Sequence, residues 1–121
     1  MKYLCLIYSD EHVFQSMPAA EWEALNRECL AFADGLREGA HLLASEALQP
    51  VATATTVRVR GGKLTTTDGP FAETKEQLAG FYLIEARDLN EAIQLFSKNP
   101  PARYGSVEIR PIRDLTPFRT A

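Results

Sequence analysis

Hydrophobic positions along this 121-residue chain change their spacing several times, and each change marks the edge of an element. Tyr3 to Tyr8 (YLCLIY) is a continuous apolar run, the pattern of a strand buried on both faces. Trp22, Leu25, Cys29, Phe32 and Leu36 then repeat at spacings of three and four, which predicts a helix with one apolar stripe. Ser16 opens that helix, Pro18 sits in its first turn where a missing N–H costs nothing, and Gly39 ends it. Glu23 and Arg27 are spaced to pair one turn apart on its wet side. A second strand is expected from His41 to Leu48. Thr55 to Arg60 alternates, with Val57 and Val59 on one face and Arg58 and Arg60 on the other, and Gly61-Gly62 supplies a hairpin turn into Lys63 to Thr67. Gly80 to Glu85 (GFYLIE) is a second doubly apolar strand. Asp88 and Glu91 have the spacing of a capping box and open a helix that presents Leu89, Ala92, Ile93 and Phe96. That helix stops at Asn99-Pro100-Pro101, and a last strand runs from about Ser106 to Ile112 with Val107 and Ile109 inward. The tail after Asp114 has no clear period.

The order β-α-β, hairpin, β-α-β predicts an α+β ferredoxin-like sandwich with an inserted hairpin, a single domain over residues 1–121. In that topology the strands preceding the helices are central, and these are the two that read as apolar on both faces. Two helices cover one face of the sheet only. The other face, carrying residues of YLCLIY and GFYLIE, is a large apolar patch on a monomer, so a homodimer with the sheets face to face is expected.

Composition narrows the function classes. The chain is 45% hydrophobic and 24% charged, as in a globular protein, and its net charge of −3 argues against a nucleic-acid module. No apolar run approaches the length of a membrane span, and the opening MKYLCLIYSD turns polar too soon for a signal peptide, so a cytoplasmic protein is expected. Cys5 and Cys29 lie in apolar patterns without CxxC spacing and read as two buried core thiols. Residues 51–121 hold ten Lys/Arg against eight Asp/Glu, whereas residues 1–50 hold three against eight. The mildly basic half suits a small anionic ligand or an acidic protein surface.

One stretch follows neither period. Thr67 to Leu78 (TDGPFAETKEQL) joins two strands through about a dozen residues, where about 4–6 is usual. It carries three carboxylates, a lysine and hydroxyls, and long loops on rigid scaffolds are where binding and chemistry concentrate. Asp68 can cap the turn at Gly69-Pro70, where positive φ is allowed, or move a proton. Glu73 is a candidate acid/base; Lys75, Thr74 and Phe71 are candidates to hold a substrate. The charges can equally pair among themselves and pin the loop. Arg103 and Tyr104, at the start of the last strand, can grip a carboxylate, or Arg103 can close the second helix. His12 and His41 are too far apart in sequence, without a local carboxylate pattern, to suggest a metal site. No phosphate-binding glycine loop and no nucleophile elbow occurs, so no cofactor is expected.

TDGPFAETKEQLAGFYLIEARDLNEAI, with TATTVRVR before it and ARYGSVEIRPI after it, resembles the DGPF-domain branch of the YCII-related proteins from the first residues to Pro111. The resemblance implies a small bacterial protein with a dimeric α/β-barrel, ferredoxin-like fold, whose gene often neighbours that of an extracytoplasmic-function sigma factor. Some relatives are linked to a His–Asp pair in lyase or dehalogenation-type chemistry, with the histidine in the first helix and an Asp-Pro after the second. Residues 18–38 here contain no histidine and the dipeptide reads Asn99-Pro100, so that pair does not carry over. The reading that results is a homodimeric, cofactor-independent enzyme of lyase or isomerase type. Asp68 or Glu73 would be acid/base, and Lys75 and Arg103 would bind an anion. A non-catalytic ligand- or protein-binding accessory of a sigma-factor system is the alternative. The enzyme reading requires a concave pocket beside Glu73 and Lys75.

Overall fold

The structure, a computed structural model, describes residues 1–119. Four strands form one antiparallel sheet: β1 (Lys2–Ser9), β2 (Leu42–Ala47), β5 (Gln77–Glu85) and β6 (Gly105–Pro111), in the order β2-β5-β1-β6. The two doubly apolar runs, β1 and β5, are the central strands, as their patterns require. Helices α2 (Ala19–Glu38) and α3 (Leu89–Phe96) pack on one face. Strands β3 (Thr55–Arg60) and β4 (Lys63–Asp68) form a separate two-stranded ribbon that, among the described residues, joins no other strand. This is the ferredoxin-like order with an inserted hairpin.

Alternation along β1 decides what is core. Tyr3, Cys5, Ile7 and Ser9 are buried, and β1–β5 register sets Tyr3 beside Ile84 and Cys5 beside Tyr82 on the same face. Phe96 and Ala92 of α3, Leu36 of α2 and the inward Val107 and Ile109 of β6 complete that core. Phe32, Tyr82 and Phe96 meet pairwise edge to face at 5.2–5.5 Å. Leu4, Leu6, Phe81 and Leu83 point to the other face and are only half-buried.

Several local expectations need correction. A short helix α1 (Glu11–Gln15) precedes the long one, started by the Asp10 carboxylate accepting the His12 N–H at 2.9 Å. Gly39 ends α2 with ordinary φ; Ala40 takes the left-handed conformation (φ 61°) while the His41 N–H closes onto the Leu36 carbonyl at 2.8 Å. The ion pair on α2 joins Asp34 to Arg37, and Glu23 and Arg27 do not pair. Cys29 is half-buried, so only Cys5 is a core thiol, and burial pushes its thiol from 9.0 up to about 12. The capping box is present: Asp88 accepts the Glu91 N–H at 2.9 Å, and the Glu91 carboxylate reaches back to the Arg87 N–H at 2.8 Å.

Candidate functional site

The long connection is shorter than its sequence suggests, because β4 extends to Asp68 and β5 starts at Gln77. Gly69 takes φ 95°, as the turn requires. The turn is fastened to β3 rather than by the Asp68 side chain: the Gly69 N–H donates to Ala54 O at 2.7 Å and the Thr56 hydroxyl donates to Gly69 O at 2.8 Å. Beyond it, the Thr74 hydroxyl bonds the Glu76 carbonyl, Gln77 donates to Thr74 O at 2.6 Å, and Ser106 donates to the Glu76 carboxylate at 2.8 Å. Asp68, Phe71, Glu73, Thr74 and Lys75 are all exposed, Phe71 by 79%. Among the described residues Glu73 and Lys75 make no ion pair, so the loop is pinned by hydrogen bonds and not by its charges. None of the five lines either of two cavities beside α2.

The loop ends, however, at the wall of one. Between α1, α2 and the ends of β1 and β5 lies a cavity of about 370 Å³. Phe14 of α1 and Trp22, Leu25 and Cys29 of α2 form one side. The chain after β2, at Leu48 and Pro50, forms another, and Leu78 and Ala79 of β5 a third. The β1–β5 register slips here: Ile7 faces Gly80 and Tyr8 faces Leu78, which leaves Ala79 as an extra residue. Such a bulge bends the strand and re-aims its side chains, and here it turns Ala79 toward the cavity. The Ala79 carbonyl accepts the Leu48 N–H at 2.8 Å, so the bulge also carries the opposite wall.

Two polar anchors hold the mouth. The Glu11 carboxylate accepts the Val51 N–H at 3.1 and 3.2 Å, and the Glu11 N–H donates to the Gln77 side chain at 2.9 Å. The first residue of β5 and the turn after β2 are therefore tied to α1 through one residue. On the far side Arg103 pairs with Glu28 of α2 at 2.7 Å, and this contact holds its guanidinium even further above the ordinary range. Tyr104 packs edge to face on Phe14 at 5.8 Å, and Phe14 meets Trp22 at 5.5 Å. Of the residues expected to form a site, Arg103 and Tyr104 thus brace the cavity from outside, while the loop residues stand apart from it.

The lining is mainly apolar, and its polar side chains are Ser9, Glu11, Gln15, Asn26, Cys29 and Gln49. Ser9, last residue of β1, is fully buried and its hydroxyl has no partner. Asn99, 2% exposed, stands near enough to the Tyr82 phenol to act on it but beyond a full hydrogen bond, and it precedes the turn whose Pro101 lines the cavity. Cys29 stays a thiol: burial and then the Glu28 charge push it up, with Arg103 acting in the opposite sense. Burial likewise raises the Tyr82 phenol, then the neighbouring Cys29, against a lowering from Asn99. A buried polar group without a partner costs about 1–3 kcal/mol, so orphaned groups at a cavity are places where a ligand or water completes the bonding. In the sequence Trp22 and Cys29 belong to the apolar stripe of a helix, and the apolar run of β1 ends at Tyr8. The available signal was Ser9, a polar residue in phase with the buried positions Tyr3, Cys5 and Ile7.

Among the described residues no group of three metal-ligating side chains comes together, and no helix is long and apolar enough to cross a membrane. A second, more open groove of about 580 Å³ lies between α2 and α3, beside Phe32, Arg87 and Lys98.

Comparison with known proteins agrees with the fold. The profile of the YCII-related domain matches residues 1–116. An uncharacterised protein of Rhizobium meliloti (strain 1021) is 40% identical over 116 residues, covering 93% of this chain and 92% of that one. Among solved structures, 5-chloro-2-hydroxyhydroquinone dehydrochlorinase (TftG) from Burkholderia phenoliruptrix AC1100, in complex with 2,5-dihydroxybenzoquinone, superposes with a TM-score of 0.56. The two share 13% identity over 93% of this chain and 94% of that one, a likeness of fold alone.

Proposed function

Since the chain belongs to the YCII-related family, we propose that it is a cofactor-independent enzyme of lyase or isomerase type, acting on a small organic molecule held in the cavity between α2 and the ends of β1 and β5. The observation that carries this reading is the buried, unpartnered Ser9 hydroxyl at the wall of a mainly apolar cavity. Glu11 is the carboxylate on the cavity wall and therefore the group placed to accept a proton. The Ser9 hydroxyl would hold the substrate oxygen as electron density moves onto it. A fold relative that is a dehydrochlorinase, bound to a small hydroxylated ring, is consistent with such use of this scaffold. The loop that begins with the TDGPF string, which marks the DGPF branch in our reading, then leads into the rim of the site at Leu78. Direct roles for Asp68 or Glu73 as acid/base, and for Phe71, Thr74 and Lys75 in binding, would require the exposed loop to close. We assign the work to the cytoplasm.

A metabolite library screened by thermal shift tests the proposal, because a ligand of the folded state raises its stability. Hits lost in Ala47→Phe, which fills the cavity, and kept in Glu73→Gln locate the site in the cavity. The opposite pattern would return it to the loop.

The exposed loop and hairpin favour a second reading, an accessory protein that docks a partner in a sigma-factor-linked system. Val57, Val59 and Leu64 share one face of the β3–β4 ribbon and are 59%, 58% and 67% exposed. A two-stranded ribbon is marginal alone, and a second copy covering it together with Leu6 and Phe81 would form the homodimer we expect. Sedimentation at micromolar concentration decides that point: a stable species near the 13.5 kDa chain mass refutes the dimer.

A further inference from the structure

We propose that the ligand of this cavity is a neutral, mainly apolar molecule bound through an oxygen at one end, and that the site rejects anions. The inference rests on the cavity being the functional site and names the class of molecule it takes.

Charge is the first argument. Neither lysine nor arginine lines the cavity, and its one charged side chain is the Glu11 carboxylate. Lys75 and Arg103, the cations that could have gripped an anion, are elsewhere: Lys75 is exposed in the loop and Arg103 is paired with Glu28 at 2.7 Å. An anion entering this space would lose its water, gain no cation and face a like charge.

The second argument is the form of the polar groups. Ser9 Oγ is buried and unpaired, and Cys29 remains a neutral thiol at the cavity wall. With the amides of Gln15, Asn26 and Gln49, which also line the cavity, these are neutral groups suited to a carbonyl or hydroxyl oxygen. Phe14, Trp22, Leu25, Leu48 and Leu78 then demand a hydrocarbon or ring body. With about 370 Å³ available, a fused two-ring ketone is within range.

Trp22 provides the readout, since it lines the cavity and is the only tryptophan of the chain. Its emission is followed during titration with 2-decalone, a neutral ketone, and with decahydro-2-naphthoate, an anion of similar size, at pH 7. The expected result is a saturable change with the ketone and binding at least about tenfold weaker with the carboxylate. Ser9→Ala should weaken the ketone roughly fivefold, as loss of one hydrogen bond does, and leave the carboxylate unaffected. Equal or tighter binding of the carboxylate overturns the neutral-ligand inference and leaves the cavity as the site. Ketone binding that ignores Ser9→Ala removes Ser9 from the inference and with it the oxygen anchor. If neither probe changes Trp22 emission at millimolar concentration, both the inference and the cavity reading fail.

Discussion

The loop from Gly69 to Glu76 and the cavity beneath α2 make opposite use of their residues. The loop holds two carboxylates and a lysine, yet among the described residues none is ion-paired, Glu73 and Lys75 stand in solvent, and only Glu76 is held, by the Ser106 hydroxyl. The cavity wall is mainly hydrocarbon with one carboxylate, Glu11, yet it is where a hydroxyl, that of Ser9, is buried and left unpaired. Chemistry needs desolvation as much as it needs reactive types, because a group in water behaves as it does in free solution. The difference also explains why the more conspicuous region is the poorer candidate for binding.

The contrast can be broken in stability as well as in binding. Gly105 sits opposite Ser9 in the β1–β6 ladder, and a Cβ there would lie 1.9 Å from the Tyr8 carbonyl oxygen. Backbone cannot yield as a side chain does, so Gly105→Ala should cost about 3 kcal/mol, the upper end of overpacking, in urea denaturation. Gly69→Ala in the loop meets no atom and is opposed only by its φ of 95°, so about 1 kcal/mol is expected. Equal costs would mean that the strand backbone beside Ser9 is as adaptable as the loop.

Reactivity gives a smaller but cleaner difference. Cys29 borders the cavity and Cys5 is fully buried, so iodoacetamide at pH 8 should modify Cys29 slowly and Cys5 only after unfolding. Occupying the cavity should slow Cys29 further; an unchanged rate would place the bound molecule elsewhere. The thiols also fix the sign of the alkaline response. Folding raises the Cys5 thiol from 9.0 to about 12, so its contribution is complete below pH 9 and is lost as pH climbs toward 12. The denaturation midpoint should fall over that range, and Cys5→Ala should flatten the slope. Least affected is the loop anchor: Ser106→Ala removes one exposed hydrogen bond to Glu76 and should cost under about 1 kcal/mol.

Much of the fold was legible because it is written in periods. The doubly apolar runs named β1 and β5 as central, the Val57/Arg58 alternation named the ribbon, and the Asp88–Glu91 spacing named the start of α3. Less legible was anything that depends on two distant segments meeting. Helix α1 is five residues long and leaves no periodicity to detect. The bulge at Ala79 is a matter of register between strands about seventy residues apart in sequence, and only that register turns Ala79 and Leu78 to the cavity. Arg103 looked like an anion binder until Glu28, on another helix, took its guanidinium. Ser9 was in phase with the core, but its missing partner is a fact of packing and has no sequence signature. Similarly, the charges of the loop suggested a network whose absence follows from side chains too exposed to gain by pairing.

The central claim, that the working site is the cavity and not the loop, is tested most directly by one affinity comparison. The strongest hit of the thermal-shift screen is titrated into wild type, Ala47→Phe and Glu73→Gln, with folding of each verified by circular dichroism. The account predicts that Ala47→Phe weakens binding by at least about a hundredfold, as a filled cavity must, while Glu73→Gln stays within about threefold. Retained binding in Ala47→Phe together with its loss in Glu73→Gln would contradict it.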